Sequence, residues 1–101
     1  MFTTSDGKKI TLAEGATQTT AWRTANPTAN KAIFIGSDHI SDILNQTSCV
    51  GIRMYFAKDD KGKDTVVLIG AKADESDMEA GHIVNFGISC PSTCANGALD
   101  T

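Results

Sequence analysis

Long apolar runs are missing from this chain. No stretch of its 101 residues approaches the roughly 18 consecutive apolar side chains that a membrane-spanning helix requires. Clustered basic charge is missing too. The nine Lys and Arg residues are scattered apart from Lys8-Lys9 and the Lys58/Lys61/Lys63 turn, and the net charge is −3. A nucleic-acid surface wants a basic stripe, so nucleic acid is not an expected partner, and neither is a membrane. The N-terminus, MFTTSDGKK, has no apolar run after its charges and does not read as a secretory signal, which leaves the cytoplasm as the expected address. Three cysteines, an odd number, suit that address better than a disulfide-stapled secreted domain. The sequence also lacks a G-x-S-x-G elbow, a Walker loop, an H-E-x-x-H helix and a dinucleotide fingerprint, so no familiar catalytic framework is in view.

What remains is ordinary globular material, 41% hydrophobic and 21% charged, in a length that suits one domain. Residues 1–9 are polar and read as a flexible N-terminus. A helix follows from Ile10, with Thr11 and Glu14 at capping-box spacing, and Asn26-Pro27 ends it because the residue before proline avoids the α region. Leu12, Ala16 and Thr19 recur on one helical face, with Trp22 at its margin. KAIFIG (31–36) reads as a short strand, and SDHISDILNQ as a second helix. Ser37 or Asp38 is positioned to cap that helix, and Ile40, Ile43 and Leu44 form its buried stripe. Strand, helix and next strand have the spacing of a tight crossover unit.

Period-2 alternation is clearest at Val50, Ile52, Met54 and Phe56, with Cys49, Gly51, Arg53 and Tyr55 between them. TVVLIGA (65–71) is a second apolar strand, and the charged KDDKGK between the two has hairpin-loop length, predicting an antiparallel hairpin over 50–57 and 65–71. The acidic DESDMEAG links it to a last strand, HIVNFGISC (82–90), and residues 95–101 read as a flexible tail. The sequence thus predicts a single α+β domain over 10–94, in the order α-β-α-β-β-β, with a mostly antiparallel sheet and the helices packed on it. The 65–71 strand is apolar on both faces and calls for cover on both. One helix per face would supply it; so would one helix and a partner subunit, which leaves a homodimer open.

Four groups of side chains suggest chemistry. Cys90 and Cys94 begin and end CPSTC, but a thioredoxin-like pair needs two intervening residues, not three. With Cys49 and His82 they would make up the four ligands of a zinc site, although the spacing is not that of a standard knuckle. The preferred reading is that the cysteines pack as small apolar side chains, a Cys90–Cys94 disulfide under oxidation being incidental. The acidic residues 74–79 lack the register of a calcium loop. His39 and His82 have no nucleophile motif to serve, and Asp38 itself fills the anion position at the Gly36–Asp38 turn. Arg53 and Tyr55, two apart on one strand face, would anchor an interface or a carboxylate, unless Arg53 pairs with an acidic neighbour and Tyr55 covers the sheet. The expected function is a small interaction module, binding itself or another protein without cofactor, with a thiol or zinc protein as the alternative.

TAWR (20–23), DHISDIL (38–44), the CVGIRMYFAKDDKGKDTVVLIGAKAD segment (49–74) and CPSTC (90–94) together resemble a family of small uncharacterised bacterial proteins of Bacteroidota type. That family carries GCVGIRIY, DDxGK, LVLVGxDA and a closing CPPxC. The resemblance runs from about Ile10 to Cys94 and implies a bacterial source and these domain boundaries, but no activity. CPSTC in place of CPPxC, and DESDME in place of a glycine-asparagine turn, are departures from it.

Overall fold

In the computed structural model, which describes residues 1–101, the elements run α1 (Leu12–Ala25), β1 (Ala32–Phe34), α2 (Ser37–Leu44), β2 (Gly51–Lys58), β3 (Asp64–Ala71), β4 (Ile83–Val84) and β5 (Ile88–Cys90). All strand pairings are antiparallel, and the class is α+β as the sequence predicts. The capping box at α1 forms in both directions: Glu14 N–H donates to Thr11 Oγ1 at 3.1 Å, and Thr11 N–H donates to the Glu14 carboxylate at 3.3 Å. The helix stops at Asn26, whose amide returns to Trp22 O, immediately before Pro27. At α2 the N-cap is Gly36 and no side chain caps it, so neither Ser37 nor Asp38 takes the role expected of them. Both side chains lie in the first turn and are exposed to water.

The β2–β3 hairpin is the spine, paired from Gly51↔Ala71 to Lys58↔Asp64. Its loop is built on Asp59. That carboxylate accepts the N–H groups of Lys61 at 2.9 Å and Lys63 at 2.8 Å, and Gly62 takes the positive φ of 76° that a Cβ would oppose. Lys58 and Asp64 pair across the loop mouth.

The single last strand expected over 82–90 is two strands. β4 joins the hairpin in the order β2-β3-β4, while β5 pairs with β1 in a separate ribbon. The cause lies between them: Phe86 has a φ of 57°, which turns the chain out of the sheet. Gly87 then passes so close to β1 that a Cβ there would stand 2.4 Å from Ile33 Cγ2 and 2.6 Å from Phe34 O. The crossover unit expected from the β1–α2–β2 spacing is consequently absent, because β1 spends its edge on β5 rather than joining the hairpin sheet.

α2 packs on β2 and β3. Ile43 is fully buried against Leu68 and Val84, with Ile35, Ile40, Cys49, Ile52 and Val66 around them. Of the stripe expected on α2, Ile43 is buried and Ile40 half-buried, whereas Leu44 is exposed. Gln46 ties this helix to β4, its Nε2 donating to Ile43 O at 2.9 Å and its Oε1 accepting from His82 N–H at 2.9 Å. α1 buries no residue. Its Arg23 donates to Leu99 O and to Thr101 O, so residues of the 95–101 segment lie between α1 and β1, where Lys31 Nζ also donates to Asp100 O at 3.1 Å. Only eight of the 101 residues are buried. The radius of gyration is 14.9 Å, against about 13 Å for a compact chain of this length.

Candidate functional site

Three places carry the candidate chemistry, the first and third of them singled out by the sequence. The first is the face of β2 that holds Arg53 and Tyr55. The structure brings both onto one carboxylate from the acidic loop: Arg53 Nη1 donates to Asp77 Oδ1 at 2.6 Å, and Tyr55 Oη donates to Asp77 Oδ2. Arg53 Nη1 also donates to Glu75 O at 3.1 Å, and its guanidinium lies 4.8 Å from the Phe2 ring centroid. The Arg53 guanidinium is held above its ordinary pKa, first by the Tyr55 hydroxyl and then, against some desolvation, by Asp77. Asp77 reaches this position because it bridges to Ala71 beside β3. The clamp closes the sheet face opposite α2 with groups that satisfy one another. Arg53 thus pairs with an acidic residue, the alternative the sequence left open, and Asp77 is the partner it did not name. The acidic run 74–79 carried a signal, since a half-buried arginine on a strand needs an anion within reach.

The second place is the other face of the hairpin. Ile52 packs into the core under α2. Two and four residues on, Met54 is 61% exposed and Phe56 93% exposed. The reason is length: α2 spans eight residues, about 12 Å of helix at 1.5 Å per residue, and it covers only the Ile52 end of the β2 strand. The uncovered end opens into a groove of ≈ 570 Å³ whose walls include Met54, Phe56, Val66, Ile33 and Trp22. Three polar side chains on its rim donate within the chain. Asn26 Nδ2 donates to Trp22 O, Asn30 Nδ2 to Asp64 O, and Lys31 Nζ to Asp100 O. A second apolar cluster follows the β1–β5 ribbon, where Phe34, Phe86 and Ile88 are all exposed.

The third place is CPSTC. Cys90 and Cys94 are joined by a disulfide, with their Cα atoms 4.8 Å apart, so the reading of all three cysteines as free packing groups is corrected for this pair. Thr93 N–H reaches back to Ser89 O at 3.0 Å, and the turn holds the two sulfurs together. Asp100 is buried beside them. Its carboxylate accepts from Asn96 N–H at 3.0 Å and Gly97 N–H at 2.8 Å. Its pKa lies below the ordinary 3.8, lowered first by the Asn96 amide, then by those of Gly97 and Ala95, and by the charge of Lys31. The sulfurs of Cys90 and Cys94 and the Asp100 carboxylate lie within 4.8 Å of one another. Cys49 and His82, the other two members of the expected zinc set, do not join that group. Cys49 is a free thiol donating to Gly51 O at 3.2 Å and packing on the core, and His82 is exposed at the start of β4.

No family model, curated protein or solved structure matches the chain. Its functional reading therefore rests on its own residues. No helix is long and apolar enough to cross a membrane.

Proposed function

We propose that this chain is a small protein-interaction module, without cofactor, that works by burying the uncovered end of its hairpin against a protein. Phe56 carries the reading: at 93% exposure, next to Met54 at 61%, it puts an apolar body on a rigid strand in water, where its burial would be worth about 1.5–3 kcal/mol. What favours a protein over a polar small molecule is the apolar wall: Asn26, Asn30 and Lys31 each donate to an internal carbonyl, while Trp22, Ile33, Met54, Phe56 and Val66 face the groove. Aromatic and methionine side chains are the residue types that protein interfaces concentrate. Arg53 and Tyr55 serve this surface from behind. Clamped on Asp77, they stiffen β2 instead of reaching for a partner. Site-specific incorporation of a photo-reactive benzoyl-phenylalanine at position 56 tests the proposal in the source cell. A discrete protein adduct is expected at position 56 and none at the exposed Ala13 of α1; equal, diffuse labelling at both would end the reading.

The thiol or zinc alternative draws on Cys49, His82, Cys90 and Cys94. In its favour stand the two sulfurs beside the Asp100 carboxylate, and a site there begins with reduction of the disulfide. Zinc bound stoichiometrically by the reduced protein, with Cys94→Ser abolishing it, would move the reading to this alternative. The cytoplasmic address belongs with an open Cys90/Cys94 pair, since disulfides persist in oxidising compartments; trapping the thiols in living cells decides between the two.

A further inference from the structure

The occupant of the exposed hairpin face is identifiable from the backbone beneath it. β2 is an edge strand, and antiparallel ladders alternate between residues that bond inward and residues that bond outward. Gly70, opposite Ile52, gives its carbonyl to Met78 N–H on the far side of β3, and Asp59 N–H continues the hairpin ladder to Lys63 O. Odd-numbered residues of β2 therefore bond to β3, and Ile52, Met54, Phe56 and Lys58 turn their N–H and C=O groups to the open edge. No other backbone or side-chain group in the chain bonds to these. Met54 and Phe56, whose side chains form the uncovered apolar face, are thus among the residues with free backbone. Natural edges are normally blunted by proline, bulges or inward charge. Over Gly51–Lys58 only the terminal Lys58 does so, because Arg53 is tied to Asp77.

We propose that a second copy of this chain covers that edge: two β2 strands pair antiparallel about a two-fold axis through Met54, fusing two three-stranded sheets into one of six strands. The inference rests on the reading of the Met54–Phe56 face as an interaction surface, and commits it to one partner. The strand is self-complementary in this register. Met54 meets Met54 of the second copy, Ile52 meets Phe56 of the second copy, and Arg53 meets Tyr55 of the second copy. Lys58 falls opposite Val50, which lies just before β2 with its N–H already given to Ala71 O, so no like charges oppose each other. Moving the axis one residue, to Tyr55, sets Ile52 against Lys58 and loses that match. A two-fold axis normal to the sheet keeps both apolar faces on one side, and the contact is isologous, the same edge serving both copies. The area agrees. The chain exposes 7216 Å², where a folded monomer of 10.6 kDa exposes about 5,500 Å². That excess belongs to the whole chain, α1 and the β1–β5 ribbon included, and leaves room for the roughly 800 Å² each partner contributes to a stable interface.

The test is sedimentation equilibrium of the purified full chain, together with cysteine crosslinking in a Cys49→Ser background. A species of twice the chain mass is expected at micromolar concentration, and Phe56→Asp should return it to monomer with an unchanged far-UV spectrum. Met54→Cys should give a covalent dimer under mild oxidation. Directly opposed, hydrogen-bonded strand residues stand about 5.5 Å apart at Cα, inside the disulfide range of about 4.4–6.8 Å. Tyr55→Cys, offset along the strand by two residues from its own mate, should not crosslink. A wild-type monomer at high micromolar concentration overturns the proposal, as does a dimer in which Met54→Cys fails to crosslink. If that monomer still yields a position-56 adduct with another protein in cells, the interaction surface stands and only the second copy falls. A monomer with no adduct removes both.

Discussion

Replacing Ile43 by alanine is the sharpest probe of this fold, because Ile43 is the one large side chain withdrawn completely from water. It touches Leu68 and Val84 and is ringed by Ile35, Ile40, Ile52 and Val66, so it fastens α2 to the hairpin and to β4 at once. The substitution removes three carbon groups, a transfer loss of about 2.4 kcal/mol at roughly 0.8 kcal/mol each. Three strands and a helix meet at the site and cannot all close in, so a cavity contribution raises the total to about 3–4 kcal/mol. A domain of this size has about 5–15 kcal/mol in hand, and a melting temperature lower by about 15–25 °C follows. Ile43→Val should cost about 1 kcal/mol. Leu44→Ala, on the exposed neighbour, should stay within about 0.5 kcal/mol. Urea titration followed by far-UV circular dichroism, at one protein concentration so that association does not shift the midpoint, measures all three. An Ile43→Ala loss below about 1 kcal/mol, or one matched by Leu44→Ala, would refute the placement of the core.

Acid should weaken the fold through Asp100, whose carboxyl titrates below its ordinary 3.8. A depressed folded-state pKa contributes stability above 3.8 that disappears as pH falls through the folded value, so Asp100→Asn should show a shallower loss of melting temperature below pH 4. Gly87→Ala should destabilise by about 1–3 kcal/mol, since its Cβ would meet the Phe34 carbonyl oxygen, while Gly36→Ala, with open space around it, should be near neutral; thermal melts compare them. Reducing the Cys90–Cys94 bond, which closes a ring only four residues apart in sequence, should cost about 2 kcal/mol by loop entropy, read as the difference between melts with and without reductant. An unchanged melt would mean that the C-terminal contacts hold without it.

Local signals in the sequence translate directly into structure here. Thr11 and Glu14 predict the capping box, Asn26-Pro27 predicts where α1 stops, and the alternation around Met54 predicts the hairpin to within one residue at each end. What alternation does not reveal is a change of partner. Residues 82–90 keep period 2 on both sides of a kink, because β4 and β5 each need it, so the pattern reads as one strand. Gly87 inside that pattern was the available warning, as a glycine within a strand often marks a bend. At the site, Arg53 and Tyr55 were visible as a pair, but their common partner was not, since it lies 22 to 24 residues away across a loop. Exposure of Phe56 was hidden for a related reason. An apolar residue in register with core residues looks buried unless the length of the covering helix is taken into account.

A chain that hides so few of its side chains has a thermodynamic signature of its own. Apolar hydration on unfolding supplies most of the heat-capacity increment, about 12–15 cal/mol/K per residue in ordinary domains. With eight buried residues, the isolated chain falls below that range. A smaller heat-capacity increment flattens the stability curve, so the chain's stability should change less between cold and warm conditions than that of a well-packed domain.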